Sequence, residues 1–312
     1  MMTRDAVLLM AYGTPDSIAD VPAYFTHIRG GRRPPDEAIA DLERRYRAVG
    51  GATPLRRITE TVREGLQSEL ARAGRDTAVY VGMKHWHPYI AEAVRDMAHA
   101  GIERVTALAL APHFSRLSVG AYQHAVEEAA HELGSPLDVS FIDSWFDEPA
   151  FIDLIADRVR TASARMQSAG PPLVVFSAHS LPVRIREWND PYETQLLESA
   201  AMVAKRLALP DWRFAWQSAG GSREPWIGPD ILEYLVTLRD EGVHSVLQVP
   251  IGFVCDHLEI LYDIDIEAKQ RARELGMTLE RTELPNASAD FVSMLAGVVL
   301  SARLDVRERA GA

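Results

Sequence analysis

The residues best suited to acid–base or metal chemistry fall into five short clusters. Tyr12, Gly13 and Thr14 close V-L-L-M-A-Y-G-T-P. Lys84, His85 and His87 lie in K-H-W-H-P, and His113 and Ser115 in A-P-H-F-S. Ser177, His179 and Ser180 lie in S-A-H-S-L-P, and Asp256, His257 and Glu259 in D-H-L-E. The last cluster opens the run D-H-L-E-I-L-Y-D-I-D-I-E-A-K, 256–269, which has no Gly or Pro and reads as a helix. Its carboxylates Asp256, Glu259, Asp263 and Glu267 recur at spacings of three, four and four. On an α-helix these fall within an arc of about 80°, and Asp265, about 200° from Asp263, drops out of the row. The rest of the circumference is mostly Leu258, Leu261, Tyr262, Ile264 and Ile266, too apolar for a solvated helix.

Two readings of this row stay open. Acids at helical spacing ordinarily form a solvated face. Carboxylates in an apolar setting instead need a partner or a metal. His179 with Glu259 would supply an imidazole and a carboxylate, a set that holds a divalent first-row metal loosely. A structural zinc site would want more nitrogen and sulfur ligands. Loose binding suits a protein that hands a metal on, and the acids behind could relay a cation inward or protons outward. A lone strand-end histidine can equally be a hydrogen-bonded structural residue. Asp256 lies in the arc but also stands where a helix cap would.

The clusters need elements to position them. Apolar, β-rich runs predict strands over 6–12, 78–83, 105–111, 139–144, 173–177, 214–217, 245–250 and 278–281. Amphipathic stretches predict helices over 58–73, 87–100, 120–133, 150–166, 192–207, 230–241 and 289–303. Several strands are continuous apolar runs, as expected of parallel strands covered on both faces. The alternation is that of an α/β fold: two Rossmann-like lobes, each with a roughly four-stranded parallel sheet flanked by helices. The expected divisions are 1–148, 149–286 and a C-terminal helix, 287–312, returning to the first lobe; the turn at Ser168-Ala169-Gly170-Pro171-Pro172 is an alternative break. The final D-V-R-E-R-A-G-A reads as a frayed tail. Open α/β sheets bind ligands beyond the carboxyl ends of their strands, so all five clusters should meet at one cleft.

Composition narrows the function classes. The chain has 312 residues, 47% apolar and 25% charged, a globular profile. Cys255 is its one cysteine, so four-cysteine clusters and internal disulfides are excluded, as in a reducing cytosol. The first apolar run, about seven residues, leads into a Gly turn and reads as a strand rather than a signal segment. No run approaches the ~18 apolar residues of a membrane span. A net charge of −11 argues against nucleic-acid binding. Locally, however, Arg29, Arg32, Arg33, Arg44, Arg45 and Arg47 cluster, as an anion site or as solvated helix ends. No G-x-G-x-x-G, P-loop or G-x-S-x-G pattern is present in a fitting context. Trp188, Trp212, Trp216 and Trp226 are packing residues by default, though four near strand ends suit a flat aromatic ligand.

The order and wording of these motifs resemble a known family. V-L-L-M-A-Y-G-T-P, Y-x-x-H-I-R-x-G-R, R-Y-x-x-x-G-G-x-x-P-L, M-K-H, L-A-P-H-F-S, S-A-H-S-L-P, W-Q-S, W-I-G-P-D and P-I-G-F-V-x-D-H-L-E-x-L-Y-D, from residue 7 to residue 263, resemble ferrochelatases. The chain is most similar to the compact coproporphyrin III enzymes of Gram-positive-type bacteria. The resemblance implies a chelatase-like fold with the porphyrin in the cleft between the lobes. It implies that Fe2+ is inserted into coproporphyrin III to give coproheme III, with release of two protons. His179 and Glu259 would be the catalytic, metal-handling pair, with Asp263 and Glu267 continuing the metal path. Tyr12, Arg29, Arg45, Tyr46, Thr53 and Tyr122 would contact the porphyrin, Tyr12 as axial ligand to iron in the product. Thr53 stands where close relatives usually have Ser. Lys84, His85 and Trp226 would line the cleft.

Some relatives carry an iron–sulfur cluster; with Cys255 alone none is expected. No apolar lip is inserted between Tyr12 and Arg29, which favours the soluble form and the more polar substrate; a cytoplasmic monomer without stable membrane insertion, meeting transient hand-off partners, is expected. Two rival functions remain: metallation of protoporphyrin IX, and a non-catalytic porphyrin or haem carrier. The chemistry of insertion fits the residues. A histidine suits removal of pyrrole protons, and a rigid cleft suits a bent macrocycle. Four propionates need local arginines on an acidic protein.

Overall fold

The computed structural model describes residues 4–134, 137–166, 170–220 and 224–310, with side chains through residue 302. The chain divides into two compact units: Met1–Trp145 with Asn286–Ala312, and Phe146–Pro285.

The first unit holds β1 (Asp5–Ala11), β2 (Ala78–Met83), β3 (Arg104–Ala109) and β4 (Asp138–Ile142) in the order β2-β1-β3-β4, every pairing parallel. Its helices are α1 (Val21–Ile28), α2 (Asp36–Ala48), α3 (Leu55–Arg72), α4 (Ile90–His99) and α5 (Val119–Glu132). The second unit has α6 (Pro149–Met166), α7 (Tyr192–Leu207), α8 (Ile231–Asp240) and α9 (Lys269–Glu274) around β5 (Leu173–His179), β6 (Trp212–Gln217), β7 (Ser245–Val249) and β8 (Thr278–Arg281). Its order, β6-β5-β7-β8, repeats that of the first unit, again all parallel. β1 and β5 are enclosed along almost their whole length, which is why they read as unbroken apolar runs. In each unit the chain turns one way from the first strand and the other way from the third. The ends of β1 and β5 are therefore switch points, where an open α/β sheet leaves a ligand site.

The last helix, α10 (Ala289–Ala310), belongs to the first unit and packs on α3. It runs on through most of the segment expected to be a tail, whose last two residues lie outside the described ones. A Cβ on Gly65 of α3 would lie 2.9 Å from a methyl of Val292 on α10, so the crossing needs glycine. Gly65→Leu is expected to cost about 1–3 kcal/mol through overpacking, seen as an earlier urea transition; an unmoved transition would contradict this crossing. Of the alternative break at 168–172, Ser168 and Ala169 lie outside the described residues.

The run 256–269 departs from expectation. Its helical part is a π-helix, Glu259–Ala268, leading into α9. Lys269 N–H bonds the carbonyl of Ile264, five residues back. Ile260, Ile264 and Ala268 are fully buried against Val175, Ala215 and Val246. Asp256 precedes the helix and leaves the acidic row. With a turn of about 4.4 residues, each four-residue step falls roughly 30° short of a circle. Glu259, Asp263 and Glu267 thus still share one side, but drift opposite to an α-helix.

Candidate active site

His179 is the last residue of β5. Its Nδ1 donates to the Ser180 carbonyl, so Nε2 is the nitrogen left for chemistry, and it lies 3.5 Å from Glu259 Oε1. Tyr192 Oη donates to the His179 carbonyl at 3.1 Å and steadies the strand end. Trp226 sits 6.3 Å from the His179 ring, seated on Gly220, where a Cβ would come within 2.6 Å of the indole. Of the four tryptophans singled out, Trp226 alone contacts His179; Trp212 and Trp216 pack on Phe176, Phe214 and Tyr192, and Trp188 lies beside Arg184.

Glu259 stands between two imidazoles. His257 Nε2 lies 3.4 Å from Oε2, with its Nδ1 2.9 Å from the Cys255 carbonyl. Burial works against both charges of the His179–Glu259 pair, and their mutual attraction overrides it. Burial would lower the His179 pKa, but the Glu259 carboxylate raises it to about 9. Burial would likewise raise Glu259, but His179 and then His257 hold it well below the usual carboxylate range. At neutral pH the resting pair is therefore imidazolium and carboxylate, not the neutral imidazole a proton acceptor needs.

Behind Glu259, Asp263 is 9% exposed and accepts the Ser218 hydroxyl. Ser218 takes φ 60°, a left-handed conformation unusual for serine. Glu267 is half-buried and makes no ion pair among the described residues. Asp256 and Asp265 both pair with Arg281, at 3.1 and 2.8 Å, which assigns both to structure. The four residues expected to hold metal, His179, Glu259, Asp263 and Glu267, do not form one cage. Among the described residues no three His, Cys, Asp or Glu side chains converge on a point. The acids are instead strung along a helix, because a four-residue step separates them by a full turn.

In the first unit, Tyr12 follows β1, is 40% exposed and lies 4.6 Å from the His85 ring. His85 Nδ1 is 3.1 Å from His27 Nδ1, so one ring donates and the other accepts. Burial first, then Lys84 and His27, push the His85 pKa down to about 3. Lys84 lies 5.6 Å from the Tyr122 ring centre and its pKa is lowered by burial. Thr14 Oγ1 lies 2.9 Å from Thr53 Oγ1 and 3.2 Å from the hydroxyl of Tyr46, which is 1% exposed. Tyr46 therefore supports the threonine pair from below, and Tyr122, 6% exposed, is equally enclosed.

The arginine cluster divides. Arg33, Arg44 and Arg47 are spent on ion pairs with Asp36, Asp41 and Glu43. Arg45 shares Asp41 at 3.0 Å. Arg29 is exposed and makes no ion pair among the described residues.

His257 stood in the D-H-L-E cluster without an assigned role, and Ser218 and Gln217 were not among the expected site residues. D-H-L-E held the signal for His257, since a residue two positions from Glu259 across a helix start can reach the same carboxylate.

The family model for ferrochelatase matches residues 4–303. The chain belongs to the ferrochelatase family. Ferrochelatases are enzymes that insert iron into a porphyrin. A ferrochelatase of Herpetosiphon aurantiacus is 50% identical over 96% of this chain and 99% of its own. The coproporphyrin III ferrochelatase of Bacillus subtilis is 41% identical over 94% of this chain and 96% of its own. Among solved structures, SirB from Bacillus subtilis with Fe3+ superposes with a TM-score of 0.59, covering 96% of each chain at 11% identity, a likeness of fold. Among the described residues no helix of this ferrochelatase is long and apolar enough to cross a membrane.

Proposed function

We propose that this ferrochelatase inserts Fe2+ into coproporphyrin III, giving coproheme III and two protons, in the cytoplasmic pathway of haem biosynthesis. The observation that carries the chemistry is the ion pair of His179 and Glu259 at a strand-end switch point, with His257 on the far oxygen of the same carboxylate. The carboxylate that holds the His179 proton is also the group that attracts Fe2+. A cation arriving at Glu259 weakens its hold on the imidazolium, and Nε2, whose ring is partly exposed, sheds its proton to solvent. Neutral Nε2 then accepts the two pyrrole protons in turn, passing the first to solvent before it takes the second, as iron moves from Glu259 to the ring nitrogens. Asp263 and Glu267 hold cation or proton on the approach to Glu259. By the family resemblance Tyr12 serves as axial ligand to iron in the product, and Lys84, His85 and Trp226 contact the porphyrin. Thr53, Tyr46 and Tyr122 shape its bed.

Coproporphyrin as substrate is supported by the names of relatives at 41–43% identity and by Arg29. A net charge of −11 repels a tetra-anion at long range, so docking needs a local cation. Arg29→Ala is expected to raise the coproporphyrin KM about tenfold with kcat unchanged, the loss of one charge-assisted hydrogen bond. Arg45→Ala has a smaller effect, since Asp41 already neutralises it. An unchanged KM in both variants would remove the docking role. The proposal includes no iron–sulfur cluster and a monomer that meets its hand-off partners transiently.

The test is anaerobic Fe2+ insertion into coproporphyrin III and protoporphyrin IX under identical conditions. Faster turnover of coproporphyrin is expected. Equal or faster turnover of protoporphyrin would overturn the substrate assignment.

A further inference from the structure

Three polar side chains are buried beneath the start of the π-helix. Ser177 of β5 and Gln248 of β7 are fully enclosed, and Gln217 of β6 is 1% exposed. They share one face of the sheet: Gln217 stands in register with His179, and Gln248 with Val175, two residues from Ser177. Further back on this face Val175, Ala215 and Val246 meet Ile260 and Ile264 of the π-helix. Gln217 Oε1 accepts from Ser177 Oγ at 3.0 Å and from Gln248 Nε2 at 3.3 Å. Gln248 Nε2 also lies 2.9 Å from Ser177 Oγ. Gln217 Nε2 donates to the backbone carbonyl of Glu259 at 3.3 Å. The carbonyl of Gln217 itself accepts Ser180 N–H at 2.8 Å.

A backbone carbonyl only accepts, so Glu259 fixes which end of the Gln217 amide faces the π-helix. Oε1 must then face Ser177 and Gln248, and both must offer it donors. One carbonyl thus sets the polarity of the whole chain of contacts. Burying these groups costs stability that aliphatic residues would not. What they supply is a tie. By its main chain Gln217 holds Ser180, beside His179, and by its side chain it holds Glu259.

We propose that Gln217, oriented by Ser177 and Gln248, is a positioning residue that sets the separation of His179 and Glu259 for metal insertion. The proposal rests on the metal-handling reading of that pair. Groups that orient a metal-handling side chain commonly matter by 10–100-fold. The test compares Gln217→Leu, which removes all three side-chain bonds, with Gln217→Glu, which sets an acceptor against the Glu259 carbonyl. Each is assayed for initial-rate Fe2+ insertion and, separately, for coproporphyrin binding by fluorescence.

The expected result is a kcat/KM for Fe2+ lower by about 10–100-fold in both, with coproporphyrin Kd within about twofold of wild type. Unchanged Fe2+ kinetics in folded Gln217→Leu would overturn the proposal. So would parallel loss of porphyrin binding and insertion, the mark of a general structural defect. If neither variant folds, Ser177→Ala carries the test: it removes one donor that orients Gln217, and unchanged Fe2+ kinetics there would overturn the proposal. Failure of the wild-type protein to metallate any porphyrin would instead remove the reading beneath it.

Discussion

His179→Ala is expected to bind coproporphyrin and to insert iron about 10²–10⁴-fold more slowly than wild type at neutral pH. The expectation follows from which atoms are within reach. Nδ1 of His179 is committed to Ser180 and Nε2 faces Glu259, so the ring offers one nitrogen for proton traffic and alanine offers none. His257 cannot stand in, because its Nε2 lies on the other oxygen of Glu259 and its Nδ1 on Cys255. Tyr192 is no substitute: burial, and then Glu259, raise its pKa. Insertion within about threefold of wild type would show that His179 is not the proton acceptor.

Glu259→Gln is expected to lose insertion to a similar extent and, in addition, to change how stability depends on pH. The wild-type His179 pKa is raised from 6.5 to about 9 on folding. A raised pKa stabilises the fold fully below the unfolded value and loses that contribution as pH climbs through the folded one. Glu259 is depressed from 4.5, so its contribution is present above 4.5 and fades as pH falls below it. The pair therefore stabilises most between about 4.5 and 6.5, by an amount on the order of 1–3 kcal/mol, and progressively less toward pH 9. Glu259→Gln removes the largest influence that raises the His179 pKa, leaving burial opposed by the Ser180 carbonyl and Asp263 alone. The stability gap between wild type and variant, measured by urea unfolding, should narrow steadily from pH 6.5 to 9. A gap that is constant or widens over that range would contradict the ion pair.

Much of the fold was legible because parallel strands buried on both faces must be continuously apolar. The runs V-L-L-M-A and L-V-V-F announced β1 and β5 for that reason. Strand-end logic then placed His179, Glu259 and Tyr12 where a switch point lies. The illegible parts have physical causes. Over ten residues, an apolar pattern with acids every fourth position fits a π turn as well as an α turn, so the π-helix was read as α. α2 is rich in ion pairs and weakly apolar, so its arginines looked like a free cluster, when Arg44, Arg45 and Arg47 all pair with acids of their own helix. Asp256 was ambiguous because its partner, Arg281, lies 25 positions away in sequence, beyond any local pattern. Gln217 sat in W-Q-S without a role, since a buried amide is defined by what surrounds it and not by its neighbours in the chain. Tyr46 shows the converse: its motif marked it as a porphyrin contact, while the structure buries it with its hydroxyl 3.2 Å from Thr14 Oγ1.

The central claim is that the His179–Glu259 pair exchanges a proton for a metal during insertion. It is tested most directly by adding Fe2+ anaerobically to the protein loaded with coproporphyrin III, following metalloporphyrin absorbance and proton release together. The expected result is coproheme III formed with two protons released per iron, in wild type and not in Glu259→Gln. Bound coproporphyrin that stays unmetallated in wild type would contradict it and leave a porphyrin carrier.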